Sequence, residues 1–269
     1  MKFRIVFILL VISHLSTEVI SQKGQEVGGW IGLAHYFGDL NTNYSLNDPG
    51  IAAGILYRKN FNDRICLASG LSYGRLKADD ADSFNTYERT RNLSFFSNVW
   101  DASLALEFNF FTYIHGHRQY FYTPYATLGI AVTRFNPKTE LDGTAYSLRE
   151  YATEAQGREY ALVTGGLSFG VGFKWDLSYK WSFNVGLTAR RMMTDYLDDV
   201  STVYPSLVSL PGGPTGIAAQ LSDRSGVEGF ATVGKQRGNA ENNDTYVFLN
   251  FSVMRYFSRL DCPKVSKIK

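Results

Sequence analysis

The 269-residue chain is short of several things. It has 2 cysteines, too few for a disulfide framework or a four-ligand zinc site. Charged residues make up 19%, where an ordinary soluble domain carries roughly 25%. The formal net charge of +2 excludes the strongly basic class of nucleic-acid binders. No run reaches the ~18 apolar residues that a transmembrane helix requires. Aromatics, in contrast, are plentiful, with 19 Phe and 17 Tyr beside 25 Gly. Disordered chains lack such aromatics, so the composition demands a packed fold.

The first residues, MKFRIVFILLVISHLSTEVISQ, carry Lys2 and Arg4 ahead of the apolar run Ile5–Ile12. Val19 and Ser21 then offer small residues for cleavage before Gln22, the layout of a secretory signal peptide. The competing reading is a buried first element of the fold. Export is expected, with residues 1–21 removed, 22–258 forming the body and 259–269 a basic tail.

Period two dominates the remainder, which is the strand period. Phe96, Trp100, Ala102, Leu104, Leu106, Phe108 and Phe110 share one face, while Ser97, Asp101, Ser103, Glu107 and Asn109 share the other. Similar alternation near residues 26–34, 51–58, 64–74, 122–133, 167–176, 181–190 and 246–257 brings the strands to eight. The connections alternate. Residues 60–63, 113–119 and 177–180 are short links, whereas 38–50, 78–90, 136–160 and 195–244 are long. An outer-membrane barrel joins its strands by short periplasmic turns and longer extracellular loops. The expected fold is therefore all-β: an eight-stranded antiparallel up-and-down transmembrane β-barrel, with both mature termini periplasmic. A secreted soluble β-sandwich is the alternative.

Cost decides which face meets lipid. A charged group at mid-bilayer on a barrel's outside costs about 2–4 kcal/mol. Arg58, Asp101, Glu107, Lys174, Asp176 and Arg190 all fall on the glycine- and serine-rich face, so that face should line the lumen. Eight strands leave room for little but side chains. Unpaired buried charge is costly, so these six residues are expected to pair into a network. The lumen should be filled, with no open pore, and function should lie on the rims.

Candidate chemistry is thin. His115-Gly116-His117 could suggest a metal pair but has no acidic or cysteine partner nearby, and a polar turn explains it. Gly165, Gly166, Gly170 and Gly172 lie in a strand pattern with no following helix, unlike a phosphate loop. Asp195, Asp198 and Asp199 could bind calcium, but their spacing is not that of an EF-hand, and a self-bonded loop is preferred. No nucleophile-elbow context for hydrolysis appears. Neither a cofactor, a metal nor a small-molecule substrate is expected, and the protein is read as no enzyme. Cys66 and Cys262 could pair in an exported protein or remain thiols.

Several segments resemble a known family. They are Glu26–Gly29 leading to Tyr36–Asn41, Ala53-Gly54 with Tyr57-Arg58, Arg91–Phe95 leading to Glu107–Phe111, Thr123-Pro124-Tyr125, Thr153–Gly157, and Asp195-Tyr196-Leu197-Asp198-Asp199-Val200-Ser201-Thr202-Val203-Tyr204. Together they are similar to the PorG-like outer-membrane barrels of the type IX secretion system of Bacteroidetes. The last is the most specific, and Asp195, Tyr196, Asp198, Asp199, Ser201, Thr202 and Tyr204 are its marked positions. Ala155 departs from the pattern, which has glycine there.

The resemblance implies a non-enzymatic component of protein export, in some species tied to gliding motility. It implies outer-membrane lipid and a periplasmic ring of PorK- and PorN-like proteins as partners. By topology the short turns and the tail should face that ring, making His115, His117, Arg118, Lys264, Lys267 and Lys269 candidate contacts. A surface binding or adhesion protein using the long loops is the alternative, and an enzyme acting on outer-leaflet lipid a third reading.

Overall fold

The computed structural model describes residues 24–157 and 159–258; the signal segment 1–21, Cys262 and the tail lysines 264, 267 and 269 lie outside them. Eight long antiparallel strands form the wall: β1 (Gly24–Phe37), β2 (Gly50–Asn60), β3 (Ile65–Asp79), β4 (Ser94–Asn109), β5 (Tyr122–Arg134), β8 (Val163–Asp176), β9 (Trp181–Met192) and β10 (Thr245–Ser258). Between β5 and β8, the short strands β6 (Pro137–Leu141) and β7 (Thr144–Ser147) make a hairpin that pairs with the end of β4. Each long strand bonds its sequence neighbour within the wall, and β1 closes the ring onto β10 from Gly24↔Ser258 to Phe37↔Thr245. Closure of the described strands removes the open sheet edges that would otherwise face lipid.

Alternation is strict and sorts the side chains by chemistry. Outward positions carry Ile31, Ile55, Leu71, Leu106, Leu128, Ile130, Val171, Leu187 and Val253, all exposed. Such a continuous apolar belt is unfavourable in water and matches the lipid-facing band of a membrane barrel. Trp175 and Trp181 edge it at the short-turn end; Tyr73 and Trp100, with rings 5.1 Å apart, edge it at the other. The chain is thus a closed eight-stranded membrane barrel. The fifteen paired residues of β3 and β4, Ile65↔Phe108 to Asp79↔Ser94, measure about 50 Å along the strand, longer than a tilted strand needs to cross the band. Their upper ends stand clear of it.

Inward positions are filled. Trp30, Tyr125, Tyr246 and Phe248 are buried in the lumen, and glycines opposite make the space. A Cβ on Gly172 would lie 2.5 Å from the Tyr125 ring, and one on Gly186 2.8 Å from its hydroxyl. Among the described residues the lumen keeps a cavity of about 60 Å3 bordered by Trp30, Arg58, Tyr125, Thr127 and Arg190, room for a few waters and no passage.

Candidate functional site: the two closures of the lumen

The six charges expected inside are all buried, and the structure brings five of them directly into ion pairs. Arg58 Nε lies 2.9 Å from Glu107 Oε2, and Lys174 Nζ lies 2.7 Å from the same oxygen. Arg190 Nε meets Asp101 Oδ2 at 3.3 Å near mid-barrel, where the Tyr246 hydroxyl donates to that oxygen at 3.1 Å. Asp176, the sixth, pairs with a turn residue instead.

That residue is His115. Expected on the rim as a partner contact, it is buried. The turn after β4 folds into the barrel mouth, where the imidazole stacks on Tyr256 at 4.0 Å. Its Nδ1 lies 2.9 Å from Asp176 Oδ1 and its Nε2 3.2 Å from Glu26 Oε1. Facing carboxylates with both nitrogens, the ring donates twice only as imidazolium. Burial opposes that charge, but the bonds to Asp176 and Glu26 outweigh it and raise the pKa to about 9. His117 and Arg118 do lie exposed on this turn. Glu26 was missed in the sequence reading, although it shares the parity of Trp30 and stands directly across from Arg58 in the β1–β2 register. Glu26, Glu107 and Asp176 face Arg58, Lys174 and His115: the short-turn end is charge-matched.

The opposite end is built differently. Loop 193–244 folds down over the lumen, and its motif residues are mostly interior: Asp195, Asp198, Asp199, Ser201 and Tyr204 are buried, Tyr196 and Thr202 partly so. Segments far apart in sequence meet here. Glu154 accepts from the backbone N–H of Ser201 at 2.9 Å and from the Thr202 hydroxyl at 2.7 Å, while the Thr153 hydroxyl donates to Asp199. Tyr160 donates to the same Asp199 carboxylate at 2.7 Å, and Tyr196 stacks on the Tyr160 ring at 4.8 Å. Arg237 fixes both motifs at once, donating to Glu154 Oε1 at 2.9 Å and to the Asp199 carbonyl at 2.8 Å. Arg91 grips Asp80 with two parallel 2.7 Å bonds and reaches the Asp39 carbonyl at 2.8 Å.

Carboxyls outnumber cations in this hub. Asp39, Asp80, Glu154, Asp195, Asp198, Asp199 and Asp244 are buried beside the guanidiniums of Arg91 and Arg237. Protons must supply the difference. The Tyr36 hydroxyl oxygen lies 2.6 Å from Asp198 Oδ2 and 2.6 Å from Asp244 Oδ1. It has one hydrogen to give, so the second contact requires a protonated carboxyl donating back to the phenol oxygen. Burial raises the Asp244 carboxyl to about 8, against the lowering bonds from Tyr36 and the Leu197 N–H. Burial and then the adjacent Asp244 raise Asp195 to about 8, and burial above all lifts Asp198 far beyond the carboxylate range. Among the described residues no group of three His, Cys, Asp or Glu is arranged to hold a metal ion.

No sequence signal named Arg237 or Asp244, which gain their meaning only through contacts with residues about eighty and two hundred positions away. The Thr153–Gly157 and Asp195–Tyr204 motifs were visible as separate pieces, but not as two halves of one contact.

Comparisons with solved structures return small bacterial barrels. Ail, the attachment invasion locus protein of Yersinia pestis, solved with the heparin analogue sucrose octasulfate, is 9% identical with a TM-score of 0.43, the match covering 88% of this chain and 99% of that one. Neisserial surface protein A is 12% identical with a TM-score of 0.45, covering 87% and 97%. The outer membrane protein OprG of Pseudomonas aeruginosa is 12% identical with a TM-score of 0.44, covering 89% and 98%. No curated protein matches the sequence. Over residues 2–155, more than half its length, the chain matches the family described as a domain of unknown function, DUF6089, and it belongs to that family.

Proposed function

We propose that this outer-membrane barrel is a non-enzymatic component of a type IX protein secretion system that anchors a PorK/PorN-like ring from its short-turn, periplasmic rim. The observation that carries the reading is the closure of both lumen ends: a barrel with no passage works through its rims. The clustered motifs of the secretion-barrel resemblance support the assignment, since Tyr36, Asp39, Arg91, Glu154 and Asp198 of four separate segments meet in one hub. On the short-turn rim His117, Arg118 and Tyr179 are exposed for contact. A mild-detergent pull-down of the tagged full chain should recover a periplasmic ring lipoprotein. Changing His117 and Arg118 to Glu should release it, and deleting the gene should stop cargo export without lowering cargo expression. Unchanged export after deletion would end this reading.

A surface-binding role is favoured by one feature of the opposite rim. A groove of about 700 Å3 runs between the outer loops past Tyr44, Tyr87, Gln236, Asn239 and Asn242. Tyr44 is held there in the left-handed region at φ 52°, a conformation that costs a bulky residue energy and that clusters at binding sites. Loss of ligand binding by Tyr44→Ala cells with cargo export intact would favour this role over the first.

A further inference from the structure

The outer wall of the barrel carries a charge pattern that neither closure uses. Among the described strand residues, the outward positions in and beside the apolar belt bear cations only: Lys59, Arg75, Lys77, Arg134, Lys138, Arg191 and Arg255. The first outward carboxylates stand farther from the belt, Asp79 on β3 and Glu140 on β6. Insertion cost does not explain this bias, because Asp and Glu are cheaper than Lys and Arg on a barrel's lipid face. A single sign of charge at this level calls for a partner of the opposite sign.

The cations are concentrated at one place. The register lays Tyr73, Trp100 and Arg134 side by side on β3, β4 and β5, with Arg75 beside Asn98 in the next row up and Lys77, Phe96 and Lys138 in the row above. Trp100 and Asn98 are exposed on this face. Arg75 rests over the Phe96 ring with Cζ 5.0 Å from its centroid, a contact that orients the guanidinium without neutralising it. Lys77 is spoken for, pairing with Asp48 at 2.6 Å. Arg75 and Arg134 have no ion pair among the described residues, and they flank β4 where the belt gives way to its aromatic edge.

From this juxtaposition we infer that the Arg75–Asn98–Trp100–Arg134 patch binds the phosphate of an anionic outer-leaflet lipid, the two guanidiniums gripping the headgroup, the Asn98 amide adding a donor and the Trp100 ring lying against the lipid body. Guanidinium forks match phosphate geometry, and at the lipid boundary the bonds are shielded from water. The placement in the outer leaflet rests on the orientation adopted above, with the long loops outside; the patch itself does not.

The test uses the full chain, folded in detergent micelles as judged by heat-modifiable gel migration. Retention of diphosphoryl lipid A, monophosphoryl lipid A and phosphatidylethanolamine is read by native mass spectrometry. The wild type should hold the diphosphoryl lipid most tightly, with inorganic phosphate in large excess failing to release it. R75Q/R134Q should weaken that binding about tenfold or more, as expected when charge-assisted bonds are lost. R255Q, which removes an outward cation at the opposite rim, should leave it unchanged. Equal binding by R75Q/R134Q and wild type, an equal loss in R255Q, or release by free phosphate would overturn the proposal. Labelling of Gly143→Cys on intact cells reads the orientation separately: an unlabelled loop defeats the outer-leaflet placement, whereas a labelled loop without lipid selectivity defeats the patch alone.

Discussion

The two ends of this barrel close the same lumen by opposite electrostatic strategies. At the short-turn end Glu26, Glu107 and Asp176 meet Arg58, Lys174 and His115, carboxylate for cation, with distances down to 2.7 Å. At the long-loop end the hub buries an excess of carboxyls over the guanidiniums of Arg91 and Arg237, and holds them through shared protons, as at Tyr36, and through backbone N–H groups. The first arrangement is built into the strands, apart from His115 of the turn after β4. The second draws distant loops together, so its strength depends on the protonation state of groups that gain or lose charge near neutrality. A matched network resists local change; an over-acidic one responds to pH.

Breaking the matched end has the largest expected effect. Arg58→Met leaves Glu26 without its guanidinium and Glu107 with Lys174 alone. Removing one partner of a buried ion pair costs about 3–5 kcal/mol. The temperature at which the folded barrel loses its fast-migrating gel form should fall clearly. An unchanged midpoint would mean that the lumen network is incidental to stability.

In the hub, Arg237→Gln should act locally. It weakens the charge-assisted bonds to Glu154 and to the Asp199 carbonyl, contributions of about 1.5–3 kcal/mol each. Limited proteolysis should then cut within residues 193–244 while the gel-shift midpoint stays near that of the wild type. If barrel and loop melt together, the contrast between the two ends fails.

The pH response sharpens the same contrast. Asp195 and Asp244, raised to about 8 from the model-peptide value of 3.8, bind more protons folded than unfolded between those limits. Their contribution is complete below about pH 4 and is lost as pH rises through about 8. Proteolysis of the hub should therefore accelerate several-fold between about pH 6 and 9. Asp198→Asn, which imitates the protonated acid, should flatten that profile. His115, raised to about 9, follows the same sign, its share complete below about 6.5 and lost through about 9, but it is walled in by Tyr113 and Tyr256 in the turn between β4 and β5. A single steep pH transition affecting both ends alike would contradict the division.

Much of the wall was legible in the sequence, because a strand's face is decided by parity within a few residues: Asp101 and Glu107 declare themselves inward by sitting among Ser97 and Ser103. The tight links at 61–64 and 177–180 were equally local, whereas the link after β4, expected to be short, runs over residues 110–121 and equals the long link 38–49 in length, because its residues fold into the barrel mouth. The β6–β7 hairpin was not legible, since four- and five-residue strands carry too little alternation to separate from a loop. His115 was misplaced for a related reason: nothing in a turn sequence says whether it bends outward or into the barrel mouth. Asp244 and Arg237 lay beyond reach altogether, because their roles come from closing a fifty-residue loop over the lumen, and such closure has no period.

The smallest expected effect comes from the hub's one visible departure from its family resemblance. Ala155 stands where the pattern has glycine, and its backbone is held at φ 50° beside Glu154, the residue that ties the two motifs together. The left-handed region costs a non-glycine residue about 1–2 kcal/mol, whereas glycine enters it freely. Ala155→Gly relieves that strain, offset in part by the extra freedom that glycine gives the unfolded chain, about 0.4–1 kcal/mol. The net should be a gain of up to about 1 kcal/mol confined to the hub, read as slower cleavage of loop 193–244 with an unchanged barrel midpoint. Because the change touches no charged group, it also separates backbone strain from carboxyl protonation: Ala155→Gly should lower the cleavage rate by the same factor at every pH, whereas Asp198→Asn should change the slope. Were Ala155→Gly to alter the slope instead, the geometry of the Glu154 loop would be coupled to the shared protons at Tyr36.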